Sequence, residues 1–452
     1  MSRYPSRLLP VILVVAFALR AAAVLTVGTH EPSPDAIDDY LPMAENVRAG
    51  VGFINVSGAP DSVRGPGYPL MMAAAQLLLP LGDVASVLWV QVILDTVLVW
   101  LVCWMAGRLF GAAAGLWSAA LYAFNPLAIY ACAMVGPETL FVFLLTAAVA
   151  TLQLGIESRR WLWLVLSGLA VGAAVLARAT PVLLVPLWGL WLVAERLIGR
   201  KEGLDRSCDR PHGSDFSWRM RLIEGVRDAV ILGVASAAVV LPWTYRNWQV
   251  FGEFIPVAAN GGVNYYAGSS ERFWPPPPEH HRQKDLRMQE LIASGAVAAP
   301  PERWSGPGAG DKYYFALGQA NYRLAWQKDP VGLIGYLFRK SLRLWYATQS
   351  GRRQWFVGAV NGAAVLLAVI GFLTAFRLGR FRAGVPCLLT IAYFPVVLLA
   401  MFPLSRYVVG FLPCLCVAGS LACVLIQSQV QRLLASAEDR PVSADTAAAV
   451  AR

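Results

Sequence analysis

Carboxylates gather in a short polar stretch that follows the first hydrophobic run. Asp35, Asp38 and Asp39 all lie within PDAIDDY. Helical spacing places Asp38 and Asp39 three and four residues after Asp35, on one face with it, and Tyr40 about one position off that face. Carboxylates placed in this way could act as a general base, although Asp is also favoured at helix starts by capping and by the helix dipole. The stretch therefore predicts either a catalytic base or an acidic helix start.

A rigid turn rich in glycine and proline follows, with the sequence VRGPGYP at 63–69. Glycine and proline fix the backbone there, and the next residues predict a helix with an apolar face suited to the membrane interface. Arg64 could bind a phosphate through two parallel hydrogen bonds, or it could be an interfacial anchor. Tyr68 in this turn and Tyr40 upstream are further candidates for substrate binding.

Four ionisable residues lie near the ends of hydrophobic runs, on what we predict to be one side of a membrane. They are Glu138, Arg178, Arg246 and Arg406. Charge at membrane depth is costly and tends to line a cavity, although any single residue could instead be an anchor that reaches the interface. Together the four predict a polar cavity that opens outward, on the side where Asp35 also lies.

The composition is that of a multi-pass membrane protein. Of 452 residues, 57% are hydrophobic and only 15% are charged, whereas soluble proteins carry about 25% charged residues. Mean hydropathy is +0.53. The net charge of +10 comes mostly from basic residues in short segments between hydrophobic runs, where they set topology and do not indicate nucleic-acid binding. A single soluble core is excluded.

We predict about ten transmembrane helices, give or take one, because about ten apolar runs are long enough to cross a hydrocarbon core. Basic residues before the first span and in the short loops place the N-terminus in the cytoplasm. Arg20, inside the first span, is expected to pair with a carboxylate such as Asp95. The predicted spans are 8–28, 84–106, 112–131, 138–156, 161–177, 181–198, 226–244, 354–376, 384–402 and 406–427.

The polar segments divide the chain into predicted parts. Within the larger outer loop, 311–328 has helical spacing, and an amphipathic surface helix is expected after it, with Tyr336 as one of its interfacial aromatics. The cytoplasmic segment 199–222 has no apolar period and predicts a flexible loop. The predicted parts are a transmembrane core at 1–244 with a first outer loop at 29–83, an outer loop region at 245–352, C-terminal transmembrane helices at 353–427 and a cytoplasmic tail at 428–452.

Motifs for several other chemistries are missing from the sequence. There is no phosphate-binding G-x-x-x-x-G-K-[ST], no dinucleotide fingerprint and no H-E-x-x-H. The histidines lack the spacing of metal ligands, and all cysteines but Cys208 lie in apolar stretches, where cysteine acts as a small hydrophobe. Nucleotide-driven and zinc-peptidase functions are disfavoured, and no metal site is indicated.

Several segments, taken in order, resemble the integral-membrane glycosyltransferases of the GT-C fold. They are similar in particular to the family 39 type, which includes protein O-mannosyltransferases and bacterial aminoarabinose transferases. The likeness extends to about residue 427 and rests on the order and sidedness of the segments. The matching segments are PDAIDDYLPMAENVRAGVGF, VRGPGYPLMMA, RLFG, PETLFVFLL, LARATP, PWTYRNWQVFGEFIPVAANGGVNYYAG and PLSRYVVGFLP.

The resemblance implies an all-α polytopic enzyme that takes a sugar from a polyprenyl phosphate on the outer face of the bacterial inner membrane. It would pass the sugar, with inversion, to a lipid, glycan or protein acceptor. By position the base of the family matches Asp35, but Tyr40 follows it by five residues here where the family has four, so Asp38 stays an alternative. Membrane lipids are the other expected partners, and nucleic acid is not one.

The resemblance also implies roles for the charged residues around the base. Arg246, Arg406 or Arg64, in that order of preference, would hold the leaving phosphate, because a cation must stabilise the charge that develops there. Glu138 would orient the acceptor or the sugar. No cofactor is required by these residues, although some relatives bind a divalent metal near the site and a metal stays an alternative.

A membrane transporter or lipid flippase is the competing interpretation, because buried charges also mark substrate pathways. The sequence has no internal repeat, and its charged residues gather at one face, which disfavours transport. An inactive assembly protein is the third interpretation. A cavity filled by side chains would favour it.

Overall fold

The protein is helical throughout the part of the chain that the structure describes. The structure, a computed structural model, describes residues 7–28, 36–55, 57–198 and 214–438. It is 80% helical and has no β-strand within these ranges, which confirms the predicted all-α architecture. The helices are α1 (Leu8–Ala23), α2 (Leu41–Arg48), α3 (Gly67–Leu78), α4 (Asp83–Phe110), α5 (Ala112–Ala123), α6 (Pro126–Cys132), α7 (Glu138–Ser158), α8 (Trp161–Ala177), α9 (Leu184–Ile198), α10 (Ser214–Phe251), α11 (Gly261–Ala267), α12 (Glu279–Ala293), α13 (Pro307–Lys328), α14 (Pro330–Tyr346), α15 (Gln354–Arg377), α16 (Phe381–Leu398) and α17 (Leu412–Glu438).

Eight helical stretches within the described ranges are long and apolar enough to cross a membrane. A bent pair, α5 with α6, would make a ninth, and α8 is apolar but shorter. Eight to nine spans are therefore found where about ten were predicted, and the difference lies at α8 and at the bent pair. The eight are Leu8–Val27, Asp83–Phe110, Glu138–Ser158, Thr180–Ile198, Trp218–Phe251, Gln354–Arg377, Phe381–Leu398 and Ser405–Ala435.

The break between α5 and α6 has a local cause. Asn125 caps α6, because its side-chain oxygen accepts hydrogen bonds from the N–H groups of Leu127 and Ala128. Pro126 follows at the first position of α6, where its missing N–H costs nothing, but it cannot extend α5. The two helices meet at an angle of 58°. The predicted span over 112–131 is therefore broken into two helices.

Several predicted boundaries were wrong in the same direction. α10 begins at Ser214, so the last residues of the predicted loop 199–222 are helical, while 199–213 lie outside the described residues. At its other end α10 continues to Phe251, and α17 continues to Glu438. Hydropathy marks only the part of a helix that lies in lipid, whereas backbone hydrogen bonding continues into the polar flanks.

Two polar segments pack against each other at one end of the bundle, which we call the cap face. Residues 36–82 form the first loop segment, and residues 252–353 form the cap segment. The Ala259 N–H donates to the Ser62 carbonyl at 2.8 Å and so ties the two together. The cap segment has an apolar core of its own, which includes Tyr266, Phe273, Leu291, Leu317 and Ala320.

α14 is amphipathic, as predicted, with its apolar face turned away from the protein. Val331, Ile334 and Phe338 lie on that face and are exposed. The interpretation of Tyr336 as an interfacial aromatic was wrong. Its side chain is buried, and its hydroxyl donates to the Gly268 carbonyl inside the cap segment. The hydroxyl obtains a backbone acceptor there, which satisfies a polar group that would otherwise be buried alone.

Arg20 pairs with Asp95 in the interior of the bundle, as expected from the sequence. The Arg20 side chain is fully buried, and its Nε donates to a carboxylate oxygen of Asp95. The Tyr122 hydroxyl donates to the other oxygen at 2.6 Å. A charge in a membrane span needs such a partner because water is absent. The pair fixes α1 against α4 and α5.

We expect Gly371→Ala to destabilise the bundle, because α15 and α17 approach closely there. An alanine Cβ at this position would lie 1.9 Å from the Ala418 carbonyl oxygen. Relieving the clash should cost about 1–3 kcal/mol, measured as a lower melting temperature of the purified protein in detergent. Gly362→Ala in the same helix is the control, because its Cβ would meet no atom within 4 Å. Equal melting of the two variants would contradict the close contact.

Candidate active site

Arg64 and Asp39 form an ion pair in the first loop segment. The Arg64 Nε lies 2.9 Å from Asp39 Oδ2, and both side chains are partly exposed. The Arg64 guanidinium carbon also lies 5.4 Å from the centre of the Tyr40 ring, within reach of a cation–π interaction. The arginine and the acidic stretch that the sequence analysis singled out separately are therefore in contact.

The VRGPGYP turn holds Arg64 in place by packing its backbone against the end of α8. A Cβ at Gly65 would lie 2.3 Å from the Leu176 carbonyl oxygen, and one at Gly67 would lie 2.7 Å from the Ala177 nitrogen. No other residue fits without displacing backbone, so the two glycines permit the approach. The turn is thus packed against the helix bundle.

Tyr68 and Tyr40 pack together next to Arg64. Their rings meet edge to face, with centroids 5.1 Å apart. The Tyr68 hydroxyl is fully buried and donates to Gln91 Oε1 at 2.9 Å, and burial raises the pKa of Tyr68 well above its usual value. Tyr68 was predicted to bind substrate, but the structure places its ring in the packing and not on a cavity wall.

Glu138, Arg178 and Tyr407 meet where three helical segments end at the cap face. The Arg178 Nη1 lies 2.7 Å from Glu138 Oε1, and its guanidinium carbon lies 4.9 Å from the centre of the Tyr407 ring. The Arg406 guanidinium carbon lies 5.4 Å from the same ring. These residues line a small pocket. Three of the four span-end residues predicted to converge do so here.

A cavity of about 440 Å³ opens beside this group, between the first loop segment and the cap segment. Its volume falls in the range of about 300–1,000 Å³ that is usual for small-molecule sites. Arg64 lines one part of the wall, and Arg406 with Tyr407 lines another, so the cavity shares residues with the small pocket. The described residues of the wall include several cations but one carboxylate, Asp311.

Comparison with known proteins bears on this architecture. A family model described as dolichyl-phosphate-mannose-protein mannosyltransferase matches residues 63–204. The match begins at the VRGPGYP turn and covers the helices up to α9. A comparison with curated protein sequences finds no match.

Solved structures match over almost the whole chain. The archaeal oligosaccharyltransferase AglB from Archaeoglobus fulgidus, in complex with an inhibitory peptide and a dolichol-phosphate, matches with a TM-score of 0.57 and 13% identity. The match covers 96% of this chain and 52% of that protein, so the chain spans about half of its length. An oligosaccharyltransferase from the same organism, tethered to an acceptor peptide, matches with a TM-score of 0.56 and 14% identity, over 95% of this chain and 51% of that protein. AglB is a GT-C glycosyltransferase.

This chain has the GT-C fold. The fold resemblance inferred from the sequence is thereby confirmed. ArnT from Cupriavidus metallidurans, bound to undecaprenyl phosphate, also matches, with a lower TM-score of 0.43 and 16% identity over 92% of this chain and 78% of that protein.

Arg246 has a different place in this GT-C chain from the one that the sequence suggested. It lines neither cavity. Its Nη1 donates to the Asp61 carbonyl and its Nη2 to the Phe53 carbonyl, both at 2.9 Å. Its guanidinium also lies over the Trp243 ring, 4.8 Å from the centre. These contacts make Arg246 a positioning residue that holds the first loop segment to α10.

The two candidate bases differ in what the structure describes of them. Asp35 lies outside the described residues. Asp38 is exposed on the single turn Ala36–Tyr40, one residue before the Asp39 that pairs with Arg64, and it is not among the residues that line the cavity. The choice between the two carboxylates stays a prediction.

Other charged residues of the cavity wall were not predicted from the sequence. Asp311 accepts a hydrogen bond from the Gly262 N–H at 2.7 Å, and burial raises its pKa despite that bond. Lys284 and Arg343 contribute cations from α12 and α14. One signal was available for α14: Lys340 and Arg343 lie three residues apart on the face opposite its apolar side, and both are buried.

No group of three or more His, Cys, Asp or Glu side chains that could hold a metal ion occurs in the described ranges. The residues described above are cations, carboxylates and aromatic rings. Such groups can hold an anion and move a proton.

Proposed function

We propose that the protein is a glycosyltransferase that moves a sugar from a polyprenyl-phosphate donor to an acceptor at the cap face. The observation that carries the proposal is the cation-lined cavity of this chain, which has the GT-C fold. The cavity lies beside the Asp39–Arg64 pair. The matching family model is described as a dolichyl-phosphate-mannose enzyme, and AglB was solved with a dolichol-phosphate. Both support a lipid-linked donor.

The residues fit the chemistry of an inverting transfer. A carboxylate, Asp35 or Asp38, removes a proton from the acceptor hydroxyl or amine. The acceptor atom then bonds to the anomeric carbon from the side opposite the phosphate, while the bond from that carbon to the phosphate oxygen breaks. Arg64 and Arg406 stabilise the released lipid phosphate, which already is a good leaving group and needs no nucleotide.

Glu138 and Arg178 act as a unit in this proposal. Because the two are paired at 2.7 Å, neither is a freely mobile charge. Arg178 lies against Tyr407, whose neighbour Arg406 lines the cavity. The pair therefore positions Arg406, and through it the donor phosphate.

The proposed setting is the inner membrane of a bacterium, with the N-terminus in the cytoplasm and the cap face outside. The basic residues of the short loops support this orientation. The cavity argues against an inactive assembly protein, for which a filled cavity was expected. The residues of the candidate site lie at one face, and the buried charge of Arg20 within the spans is paired with Asp95, which supports transfer over transport.

The proposal is tested by mass spectrometry of the glycolipids and glycoproteins of a deletion strain and its parent. We expect one glycosylated product to lose its sugar in the deletion strain and to regain it when the wild-type chain is restored. Its identity gives both the sugar and the acceptor. Identical profiles in the two strains would contradict the transferase.

The base is identified by Asp35→Asn and Asp38→Asn, expressed at wild-type levels. We expect one of them to lower the rate of sugar transfer in membranes by about 10²–10⁴-fold, because proton transfer by a positioned base contributes that much. Asp83→Asn is the control: that carboxylate pairs with Arg48 at 3.2 Å and both side chains are well exposed. If both variants transfer sugar as fast as the wild type, the proposed base is wrong.

A further inference from the structure

Basic side chains concentrate on the part of the cavity wall that the cap segment forms. Lys284, His280 and His281 come from α12, and Arg343 comes from α14. The His280 ring lies 5.1 Å from the ring of Phe402, and its Nδ1 contacts the Phe273 carbonyl. The described carboxylate of the cavity, Asp311, accepts a hydrogen bond from the Gly262 N–H at 2.7 Å.

Arg343 has a buried donor that nothing in the described residues satisfies. It is 9% exposed, and no ion pair is formed with it there. Its Nη2 donates to the Trp274 carbonyl at 3.0 Å, and its guanidinium lies 4.7 Å from the centre of the Trp274 ring, but its Nε has no partner. The Trp274 Nε1 is also buried without a partner. Two adjacent unsatisfied donors are unusual, because a buried donor without an acceptor costs free energy.

Burial and neighbouring positive charge disfavour the protonated form of His280. Burial lowers the pKa of His280, and the nearby charges of Lys284, His281 and Arg343 lower it further, while its contact with the Phe273 carbonyl acts in the opposite direction. Burial likewise lowers the pKa of Lys284 and of Arg343. A site that disfavours its own positive charge is stabilised by an anion, because an opposite charge nearby favours the charged forms.

We propose that Arg343, Lys284 and Trp274 form a second anion subsite of the cavity, which binds an oxyanion group of the acceptor. Arg343 offers a planar set of donors that suits phosphate and carboxylate, and Lys284 adds a point charge. The ring of Trp274 fixes the guanidinium in orientation. The inference rests on the proposed function and adds to it the class of the acceptor, an acidic molecule that carries a phosphate or carboxylate.

The proposed subsite and the cation proposed for the donor phosphate belong to different segments of the chain. The donor is anchored in lipid by its polyprenyl chain, so its phosphate must stay near the ends of the spans, where Arg406 begins the last one. Arg343 and Lys284 belong to the cap segment, on α14 and α12. The end of α14 adjoins the start of the last span, because the Ser405 N–H donates to the Ala347 carbonyl at 2.8 Å. Two anions can then lie in one cavity, each neutralised by its own cations.

Binding of small probes to the purified full chain in phosphatidylcholine nanodiscs tests the subsite. Phenyl phosphate and benzoate are titrated separately by calorimetry. We expect Arg343→Gln and Lys284→Gln each to weaken binding of the preferred probe by about 10- to 100-fold, as for lost charge-assisted hydrogen bonds. Arg343→Lys, which keeps the charge, should bind the probe with an affinity between those of the wild type and of Arg343→Gln. Arg282→Gln, on the same helix as Lys284, is the control, because the Arg282 side chain is 74% exposed and lines neither of the two cavities described above.

The two probes distinguish the sources of the oxyanion. Tighter binding of phenyl phosphate assigns a phosphorylated acceptor, and tighter binding of benzoate assigns a carboxylated one. If Arg343→Gln does not fold, Lys284→Gln decides alone, because Lys284 is only partly buried. Unchanged binding in the folded variants, or no binding by the wild type, would overturn the subsite.

A parallel titration with a fluorescent polyprenyl phosphate separates this inference from the proposed function. Saturating polyprenyl phosphate should leave the binding of the preferred probe intact. Arg64→Gln should weaken the binding of polyprenyl phosphate and leave the binding of the probe unchanged. Displacement of the probe by the lipid would mean one shared anion site and would overturn the second. Sugar transfer that persists without probe binding would refute the acidic acceptor and leave the transferase standing.

Discussion

Arg406→Gln is expected to lower the rate of sugar transfer by about 10²–10³-fold, because removal of one group that stabilises developing charge commonly has that effect. Arg406 lines both the main cavity and the small pocket beside Glu138 and Arg178. Its side chain is exposed to the cavity, unlike that of Arg20 in the bundle core. The measurement is the initial rate in membranes that contain equal amounts of wild-type and variant protein. A loss in turnover with unchanged donor affinity would place the contact in the transition state.

Arg303→Gln is the matched control for that experiment. Arg303 is an exposed arginine of the cap segment, and it lines neither cavity. Its loss changes the net charge by the same amount, so an effect of overall charge would appear in both variants. If Arg303→Gln and Arg406→Gln slow transfer equally, Arg406 has no specific role.

Arg20→Met is expected to have the largest effect on stability, about 3–5 kcal/mol, because it leaves a buried carboxylate uncompensated. Arg20 is fully buried and Asp95 is 3% exposed. In the variant the Tyr122 hydroxyl, 2.6 Å from Asp95 Oδ1, would be the remaining strong donor to that carboxylate. Thermal unfolding of the purified protein in detergent measures the loss.

A second substitution and a surface ion pair show whether the loss of stability is caused by the unpaired buried carboxylate of Asp95. Adding Asp95→Leu to Arg20→Met should recover most of the stability, since a buried ion pair replaced by apolar groups is often tolerated. Arg48→Met breaks the exposed pair with Asp83 and should cost less than about 1 kcal/mol. A double variant no more stable than Arg20→Met would show that the pair is not the origin of the effect.

The fold was predictable because lipid imposes simple rules on a sequence. Apolar runs of the required length located the spans, and a lone arginine in one of them required a partner such as Asp95. The errors concerned helix bends and helix ends, which hydropathy does not indicate. Asn125 and Pro126 bend a run that is apolar throughout, and the flanks of α10 and α17 stay helical after their apolar part ends.

The site was predictable only in part, because it depends on which distant segments meet. Arg64 was recognised as a candidate because it lies in the VRGPGYP turn, and Arg406 because it is a charge near the end of a span. Arg343 was not, because a basic residue in an amphipathic helix resembles a lipid anchor until the buried side of the helix is known. Arg246 was preferred as the phosphate ligand, yet its donors are used by the carbonyls of Phe53 and Asp61. Sequence shows which residue carries a charge but not which backbone group will accept its hydrogen bonds.

The wall of the main cavity has a consequence for how the protein can be divided. Its residues come from separate stretches of chain, near Arg64, from Ala259 to Tyr314, near Arg343 and near Arg406. Boundaries at 244 and 352 would cut between these stretches and leave every fragment with an incomplete wall. The protein therefore cannot be reduced to a catalytic piece and an anchoring piece, and fragments complement one another only if they reassemble in the same bilayer.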